Sequence, residues 1–251
     1  MADWPAQVQR HIFAELDSTN AQARRHLEQG APPADAWFMA HSQTAARGRR
    51  GRHWHAPAGN FMASLLLGLD VPAAAAAQRS FVAALAVHDT LVALTGRGDI
   101  FTLKWPNDVL ARGQKVAGIL LETAGSGARV DHLIIGIGVN LAHAPTPEAV
   151  EPGAIPPISL QQASGITASP EVFLNCLAPN YAIREAQLRE SGFAAIRHDW
   201  LDRAANLGAT ITAKLGDRIE TGIFETLDET GALLLRSATG TQTIAAADIY
   251  F

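Results

Sequence analysis

Residues 47 to 54 read Arg47-Gly48-Arg49-Arg50-Gly51-Arg52-His53-Trp54 and lie between two apolar runs of strand length, 36 to 42 and 60 to 69. Four arginines and two glycines in six residues have no hydrophobic period, so the segment is expected to be a long loop joining two strands. Asp and Glu are absent from position 36 through 69, and nothing local in sequence neutralises the charge. Like charges this close repel and glycine adds backbone freedom, which predicts a loop mobile alone and ordered by an anionic ligand. At an effective dielectric near 20, one cation about 4 Å from a phosphate gives roughly 4 kcal/mol, so two or three convergent arginines suffice for an anion site. On charge alone, a solvated basic loop or an RNA-binding arginine-glycine segment remains the favoured reading.

Upstream of the loop, residues 11 to 16 read as a strand that ends at Asp17-Ser18-Thr19-Asn20. Side-chain oxygens there are expected to cap a helix over 20 to 29, stopped by Gly30. Downstream, residues 78 to 95 place Phe81, Leu85 and Val92 at helical spacing, with Gly96 and Gly98 as terminators. Short apolar runs follow at 101 to 105, 107 to 110, 115 to 122 and 130 to 141, the second and third joined by a hairpin turn at Ala111-Arg112-Gly113-Gln114. Residues 143 to 157 hold five prolines and are expected to be a surface loop. Ser169-Pro170-Glu171 starts a helix that Pro179 is expected to kink or divide, and a second amphipathic helix spans about 192 to 204. After Leu207-Gly208 the texture changes to short alternating strands with turns at Gly216-Asp217 and Thr230-Gly231, a small β-barrel-like appendage.

Bulk properties bound the function. At 251 residues the chain holds one large domain with a small appendage, and 48% hydrophobic with 18% charged residues is ordinary for a globular protein. One cysteine, Cys176, excludes an internal disulfide and a thiolate metal site, and its apolar neighbours make it a buried structural thiol. The N-terminus lacks the apolar stretch of a secretory signal and no run reaches a membrane span, so the expected location is the cytoplasm. A net charge of −4 gives no overall attraction to nucleic acid or to anionic membranes, so any cationic function is local.

Two further motifs stand out. Lys104-Trp105-Pro106-Asn107-Asp108 is followed, after the predicted turn, by Lys115 opening an apolar strand, which raises the question of what anion that lysine faces. Snorkelling at the strand end is the plainer reading of Lys115, and Asn107 and Asp108 read equally as turn residues. Gly136-Ile137-Gly138-Val139-Asn140-Leu141 starts like a dinucleotide fingerprint, but Leu141 stands where the third glycine belongs and no helix follows. A Rossmann site is rejected, and close packing or ligand approach explains the glycines. His53 and His55 lack a third metal ligand nearby.

Taken in order, Ser18-Thr19-Asn20, Gln43 with Arg47 to Arg52 and Trp54, Lys104 to Asp108, Lys115 with Gly118, Ile119, Leu120 and Glu122, and Gly136, Gly138 and Asn140 resemble the successive motifs of biotin protein ligases. The resemblance is strong over 11 to 141 and looser beyond. It implies an α+β protein with a class II aminoacyl-tRNA synthetase-like mixed-sheet catalytic domain, residues 1 to 206, and an SH3-like C-terminal β-barrel domain, residues 207 to 251. The implied reaction consumes ATP with Mg²⁺: biotin becomes biotinyl-5′-AMP, and a lysine of a biotin carboxyl carrier domain then displaces AMP.

By the same resemblance, Ser18, Thr19, Asn20 and Gln43 take the ureido ring, Gly118 and Leu120 wall the valeryl arm, and Arg47, Gly48, Arg49 and Lys115 meet the carboxylate and α-phosphate. Arg50, Arg52, Trp54, Lys104, Asn107 and Asn140 are assigned to the nucleotide. Lys115, Arg49 and Asp108 are the implied catalytic residues, Asp108 by orienting a lysine or reaching metal through water; no residue is assigned as a direct metal ligand. The family usually has glycine where Ala46 precedes the loop, and a positive φ there would cost alanine roughly 1 kcal/mol. A lipoate or octanoate ligase is the sister alternative, and a nucleic-acid-binding regulator the alternative from another class. About ten residues precede the first strand, too few for a three-helix DNA-binding module, so no DNA partner is expected, while a family-type homodimer is compatible.

Overall fold

The computed structural model describes residues 3–30, 34–55, 57–124, 129–146, 149–151, 153–216 and 218–250. The larger sheet is assembled from β1 (Gln9–Leu16), β2 (Ala36–Gln43), β3 (Phe61–Pro72), β4 (Phe101–Lys104), β5 (Asp108–Ala111), β6 (Gln114–Ala124) and β7 (Arg129–Val139), in the order β1-β2-β3-β7-β6-β5-β4. β1 and β2 pair in parallel, joined by α1 (Thr19–Glu28), and all other pairs are antiparallel, so the sheet is mixed. The α1 crossover is what a parallel pair requires. Arg112 (φ 50) and Gly113 (φ 76) both adopt left-handed backbone at the β5–β6 turn, the two-residue hairpin that the sequence predicts.

One face of the sheet packs on α3 (Arg79–Thr95) and α5 (Pro170–Leu201). Eleven residues of α3 are buried, including Phe81, Leu85 and Leu91, because its apolar side chains run nearly all round the helix. α2 (Ala73–Ala77) leads into α3, and α4 (Leu160–Ser164), after β7, precedes α5 and is opened by a capping box of Ser159 and Gln162. α5 departs from expectation. Pro179 keeps helical backbone, and the break falls at Gly192, whose φ of 73 a glycine adopts without penalty. Pro179 and its neighbours Leu177 and Ala178 are buried, so packing holds the helix through the proline.

The C-terminal sheet has β8 (Thr210–Leu215), β9 (Arg218–Leu227), β10 (Leu233–Ser237), β11 (Gly240–Ile244) and β12 (Asp248–Tyr250) in the order β11-β10-β9-β8-β12, all antiparallel. β11 and β12 are its two edges, so the expected barrel is not closed by strand pairing among the described residues. Asp217 of the predicted Gly216-Asp217 turn lies outside the described residues. The turn at Thr230-Gly231 is present, with Asp228 accepting from the Thr230 and Ala232 amides.

That turn also fastens the two sheets together. The Trp105 indole donates to Gly231 O at 2.9 Å, and Arg197 from α5 reaches Leu227 O. Gly231 has φ +90, and a Cβ there would lie 2.6 Å from Phe81 Cε2. Gly231→Ala is therefore expected to destabilise the protein by about 2 to 3 kcal/mol, a melting temperature lower by roughly 4 to 12 °C. Calorimetry of the two proteins checks this, and an unchanged melting temperature would contradict the proposed docking contact.

Candidate active site

The face of the sheet opposite α3 carries a cleft of about 440 Å³. Its floor follows the strand register. Ser64 on β3 pairs with Gly136 on β7, Gly138 pairs with Gly118 on β6, and Gly118 pairs with Asp108 on β5. A row of small residues thus crosses three strands and ends at Asp108 on a fourth, and large side chains lie directly on it. A Cβ at Gly136 would fall 2.5 Å from Asn20 Oδ1, and one at Gly138 would fall 2.6 Å from Trp54 Cε2. These two glycines give other side chains access to the backbone, as the sequence reading requires of them.

At the Gly136 end the groups are neutral. Thr19 and Asn20 are buried at the start of α1, and the Ser64 hydroxyl lies 2.7 Å from Thr19 Oγ1 and 2.5 Å from Asn20 Oδ1. The Asn20 Nδ2 donor is buried without a partner. An orphaned amide donor costs about 1 to 3 kcal/mol, so its natural complement is a ligand acceptor. The expected capping by side chains of 17 to 20 takes another form: Ser18 at the helix N-cap makes no side-chain cap bond, and Gln43 Oε1 accepts from Thr19 N at 2.6 Å instead. β2 supplies the cap, and the Ser18 side chain is left to the cleft.

Beyond Trp54 the character changes to ionic. Asp108 is buried, with Lys115 Nζ 2.6 Å from one carboxylate oxygen and Lys104 Nζ 3.4 Å from the other. Burial opposes ionisation of Asp108, yet the two ammonium groups together hold its carboxyl below the ordinary carboxylate value. Burial pulls the Lys104 ammonium down, with Asp108 drawing it the other way. Lys115 Nζ also stands 5.6 Å over the Trp54 ring. Lys115 therefore faces a carboxylate as well as the cleft, and the snorkelling reading is set aside.

The arginines part company. Arg49 Nη1 donates to Asn107 Oδ1 at 3.2 Å, and Asn107 is itself fixed by its Nδ2 on Ile119 O at 2.6 Å. Burial depresses the Arg49 pKa. Arg47 pairs with Glu122 at 3.1 Å, while Arg50 and Arg52 reach Asp248 on β12 at 2.8 and 2.7 Å, and Arg52 also meets Glu151 at 2.8 Å. Three of the four arginines that nothing neutralises in sequence are thus paired with carboxylates in space. Ala46 is buried and not among the positive-φ residues, so the anticipated backbone cost does not arise.

Of the assigned residues, Ser18, Thr19, Asn20, Gln43, Arg47, Gly48, Arg49, Arg52, Trp54, Lys104, Asn107, Asp108, Lys115, Gly118, Leu120 and Asn140 all line the cleft. Arg50 does not; its guanidinium lies on Asp248. Asn140 is buried, and its Nδ2 is 3.3 Å from Ile158 O. The proline-rich stretch read as a surface loop contributes Pro145, Ala149, Glu151, Ile155 and Pro157 to the cleft wall. Sequence reasoning missed Ser64 and Asp248 and gave Glu122 no role. Among the described residues no group of three or more His, Cys, Asp or Glu is placed to hold a metal ion, and no helix is long and apolar enough to cross a membrane.

A cleft with a neutral hydrogen-bonding end and a cationic end is built for a ligand that is polar but uncharged at one extremity and anionic at the other. Comparison with known proteins agrees. A model of the biotin/lipoate A/B protein ligase family matches residues 12–140, and one of the biotin protein ligase C terminal domain matches residues 207–251. The chain belongs to the biotin/lipoate A/B protein ligase family. Within it, a biotin–[acetyl-CoA-carboxylase] ligase of Paracoccus denitrificans is 52% identical over 96% of this chain and 99% of its own length. A bifunctional ligase/repressor of Bacillus subtilis is 31% identical, covering 96% of this chain and 74% of the relative. The structure of a biotin protein ligase from Aquifex aeolicus in complex with biotin and ATP superposes with a TM-score of 0.80 at 26% identity, covering 96% and 97% of the two chains.

The Asp108 cluster makes a prediction about pH. A folded-state pKa below the unfolded value means that its stabilisation is present above the ordinary carboxylate range and lost as pH falls through the folded value. Asp108→Asn leaves two lysines uncompensated and is expected to cost about 3 to 5 kcal/mol at neutral pH. Melting curves of both proteins should converge as pH falls below about 4; a gap that stays constant into acid would contradict the assignment.

Proposed function

We propose that this protein is an ATP-dependent biotin protein ligase. It joins biotin to ATP as biotinyl-5′-AMP with release of pyrophosphate, then transfers the biotinyl group to a lysine of a biotin carboxyl carrier domain, releasing AMP. The observation that carries the reading is the order of chemistry along one floor: Asn20, Thr19 and Gln43 at the neutral end, with Ser64 buried behind them, then Gly118 and Leu120, then Arg49, Lys115 and Lys104. Biotin has that order too, with a ureido ring that needs neutral donors and acceptors, an apolar arm and a carboxylate. The unpartnered Asn20 Nδ2 offers a donor to the ureido oxygen.

For the first half-reaction a carboxylate oxygen must approach phosphorus against like charge. Lys115 and Arg49 lower that repulsion and stabilise the negative charge of the in-line transition state as the bond to pyrophosphate breaks. Asp108 orients Lys115, and Asn107 orients Arg49. In the second half-reaction the carrier amine attacks the acyl carbonyl and AMP leaves from the same cationic end. Trp54, Lys104, Arg52 and Asn140 are read as the nucleotide's surroundings, and Gly48 and Arg47 as the entry to the biotin arm. Arg50 is read as an anchor of the loop in place of a direct nucleotide contact. Both oxygens of Asp108 are engaged by lysines, which disfavours the Mg²⁺ role for it, and Mg²⁺ enters this reading with the phosphates of ATP.

The larger sheet is read as the class II aminoacyl-tRNA synthetase-like catalytic domain, residues 1 to 206, and the C-terminal sheet as the SH3-like domain, residues 207 to 251. The match of the C-terminal family model to 207–251 supports that division. The reading places the protein in the cytoplasm, with the carrier domain as partner, a family-type homodimer, and no role on DNA or membranes. Pairing of Arg47, Arg50 and Arg52 with carboxylates speaks against an RNA-binding loop.

Biotin-dependent ATP–pyrophosphate exchange, with lipoate and octanoate as competitors, tests the function. Exchange with biotin alone is expected, and exchange with lipoate alone would replace this reading with its sister. Lys115→Ala should lower exchange by about a hundredfold or more with the fold intact by circular dichroism. Arg49→Gly should raise labelling of bystander lysines by released adenylate, measured with an unrelated acceptor protein; unchanged labelling would sink the idea that Arg49 retains the intermediate.

A further inference from the structure

The arginine-glycine loop is held from outside the larger sheet. Arg50 takes the left-handed backbone (φ 57, ψ 25), a conformation in which the Cβ of an L-residue is crowded, and Gly51 (φ 73) takes it again. Two left-handed residues in succession close a tight turn, fastened by Gly48 N to Arg52 O at 2.8 Å and Arg52 N to Arg49 O at 3.2 Å. A side chain held in a sparsely populated conformation needs surroundings that over-determine it. Here they are the Asp248 carboxylate, 14% exposed, accepting from Arg50 Nη1 at 2.8 Å and Arg52 Nη2 at 2.7 Å.

We propose that Asp248 is a positioning residue for the ligase site: by gripping Arg50 and Arg52 it fixes the turn that presents Arg49 to Asn107 and the cleft. The proposal rests on the adenylating function above for its catalytic consequence, though its structural part does not. The strand bearing Asp248 also borders the cleft directly, through Ala247, Ile249 and Tyr250. Around the Asp248 carboxyl stand Arg52, Arg50 and Arg49, which together keep it ionised against its burial. Glu151 shares Arg52 at 2.8 Å from the proline-rich wall, so Arg52 is tied to two separate parts of the rim. Arg50, by contrast, has Asp248 as its salt-bridge partner, which makes the strained residue the one most dependent on β12.

The effect of this arrangement is to order the loop before ligand arrives. A loop that must be arranged at binding lowers apparent affinity by the fraction of time it is competent, and saturating ligand restores it. Loss of the grip should therefore raise the KM for ATP while leaving kcat within a few-fold.

The test uses the full chain with Asp248→Asn, which keeps the shape and removes the charge, and Asp248→Glu, which keeps the charge. Without ligand, trypsin cleavage after the loop arginines, mapped by mass spectrometry against cleavage elsewhere, is expected to rise about tenfold in Asp248→Asn and much less in Asp248→Glu. The KM for ATP in biotin-dependent exchange should rise by about tenfold in the same order. Arg50→Gln, which leaves the C-terminal sheet untouched, should move both readouts in the same direction and decides the matter if Asp248→Asn fails to fold. Wild-type loop cleavage and KM in the folded variants would overturn the proposal. Absence of biotin-dependent exchange in the unmodified protein would instead overturn the functional reading, and the cleavage pattern would still decide whether Asp248 holds the loop.

Discussion

A buried carboxylate shared by two ammonium groups is the constraint around which the site is organised. Lys104 and Lys115 would repel each other at this distance from a common centre, and each alone would be costly to bury. Asp108 between them leaves the trio with a net single positive charge in a setting of low dielectric, where a charge acts strongly. The three residues come from the end of β4, the start of β5 and the start of β6, and the pairing of Lys104 with Asp108 and of Asp108 with Gly118 places them side by side. The irregularity between Val109 and Leu110 shifts the register where Lys115 turns toward the cleft. Strand order, bulge and charge therefore serve one end.

A second principle is that the sheet's backbone is the floor of the site. Most sheets cover both faces with their own side chains; here the row from Gly136 to Gly118 is bare, and Asn20 and Trp54 fill the space that Cβ atoms would take. Because these large side chains lie on the strands, they are placed by rigid elements although they originate from a helix start and a loop. The same bareness admits a ligand along its length. Specificity at the neutral end is thereby set by groups belonging to α1, β2 and β3, and charge at the other by β4 to β6.

How much of this the sequence discloses depends on distance along the chain. Local signals were legible: the Arg112-Gly113 hairpin needs two left-handed residues, and glycine spacing around 136 and 138 forbade a Rossmann reading. The assigned site residues, Arg50 excepted, line one cleft, and they were legible because each carries unusual chemistry for its element. Ser64 was invisible because one serine in an apolar strand has no period to betray it. Asp248 was invisible because its partner lies 198 residues away, and a lone aspartate near a strand end has many plainer readings. Pro179 misled because proline's penalty is local, whereas the burial of α5 belongs to the whole fold; Gly192 took the break instead. The capping of α1 was assigned to the wrong side chain for a similar reason, since Gln43 is remote in sequence and adjacent only once β1 and β2 pair.

The grip of β12 on the arginine loop closes chain loops of 196 and 198 residues, spanning most of the chain's 251. Such contacts contribute nothing until most of the chain is already arranged, because the entropy of closing them is lost first. The larger sheet, by contrast, is dominated by hairpins and neighbours such as β6–β7 and β4–β5. The grip on the arginine loop therefore forms on a sheet whose own hairpins already carry the floor of the site. Detachment of the C-terminal sheet would free the arginine loop while leaving the floor of glycines intact, so the hold on the loop and the floor beneath it belong to separately formed parts of the fold.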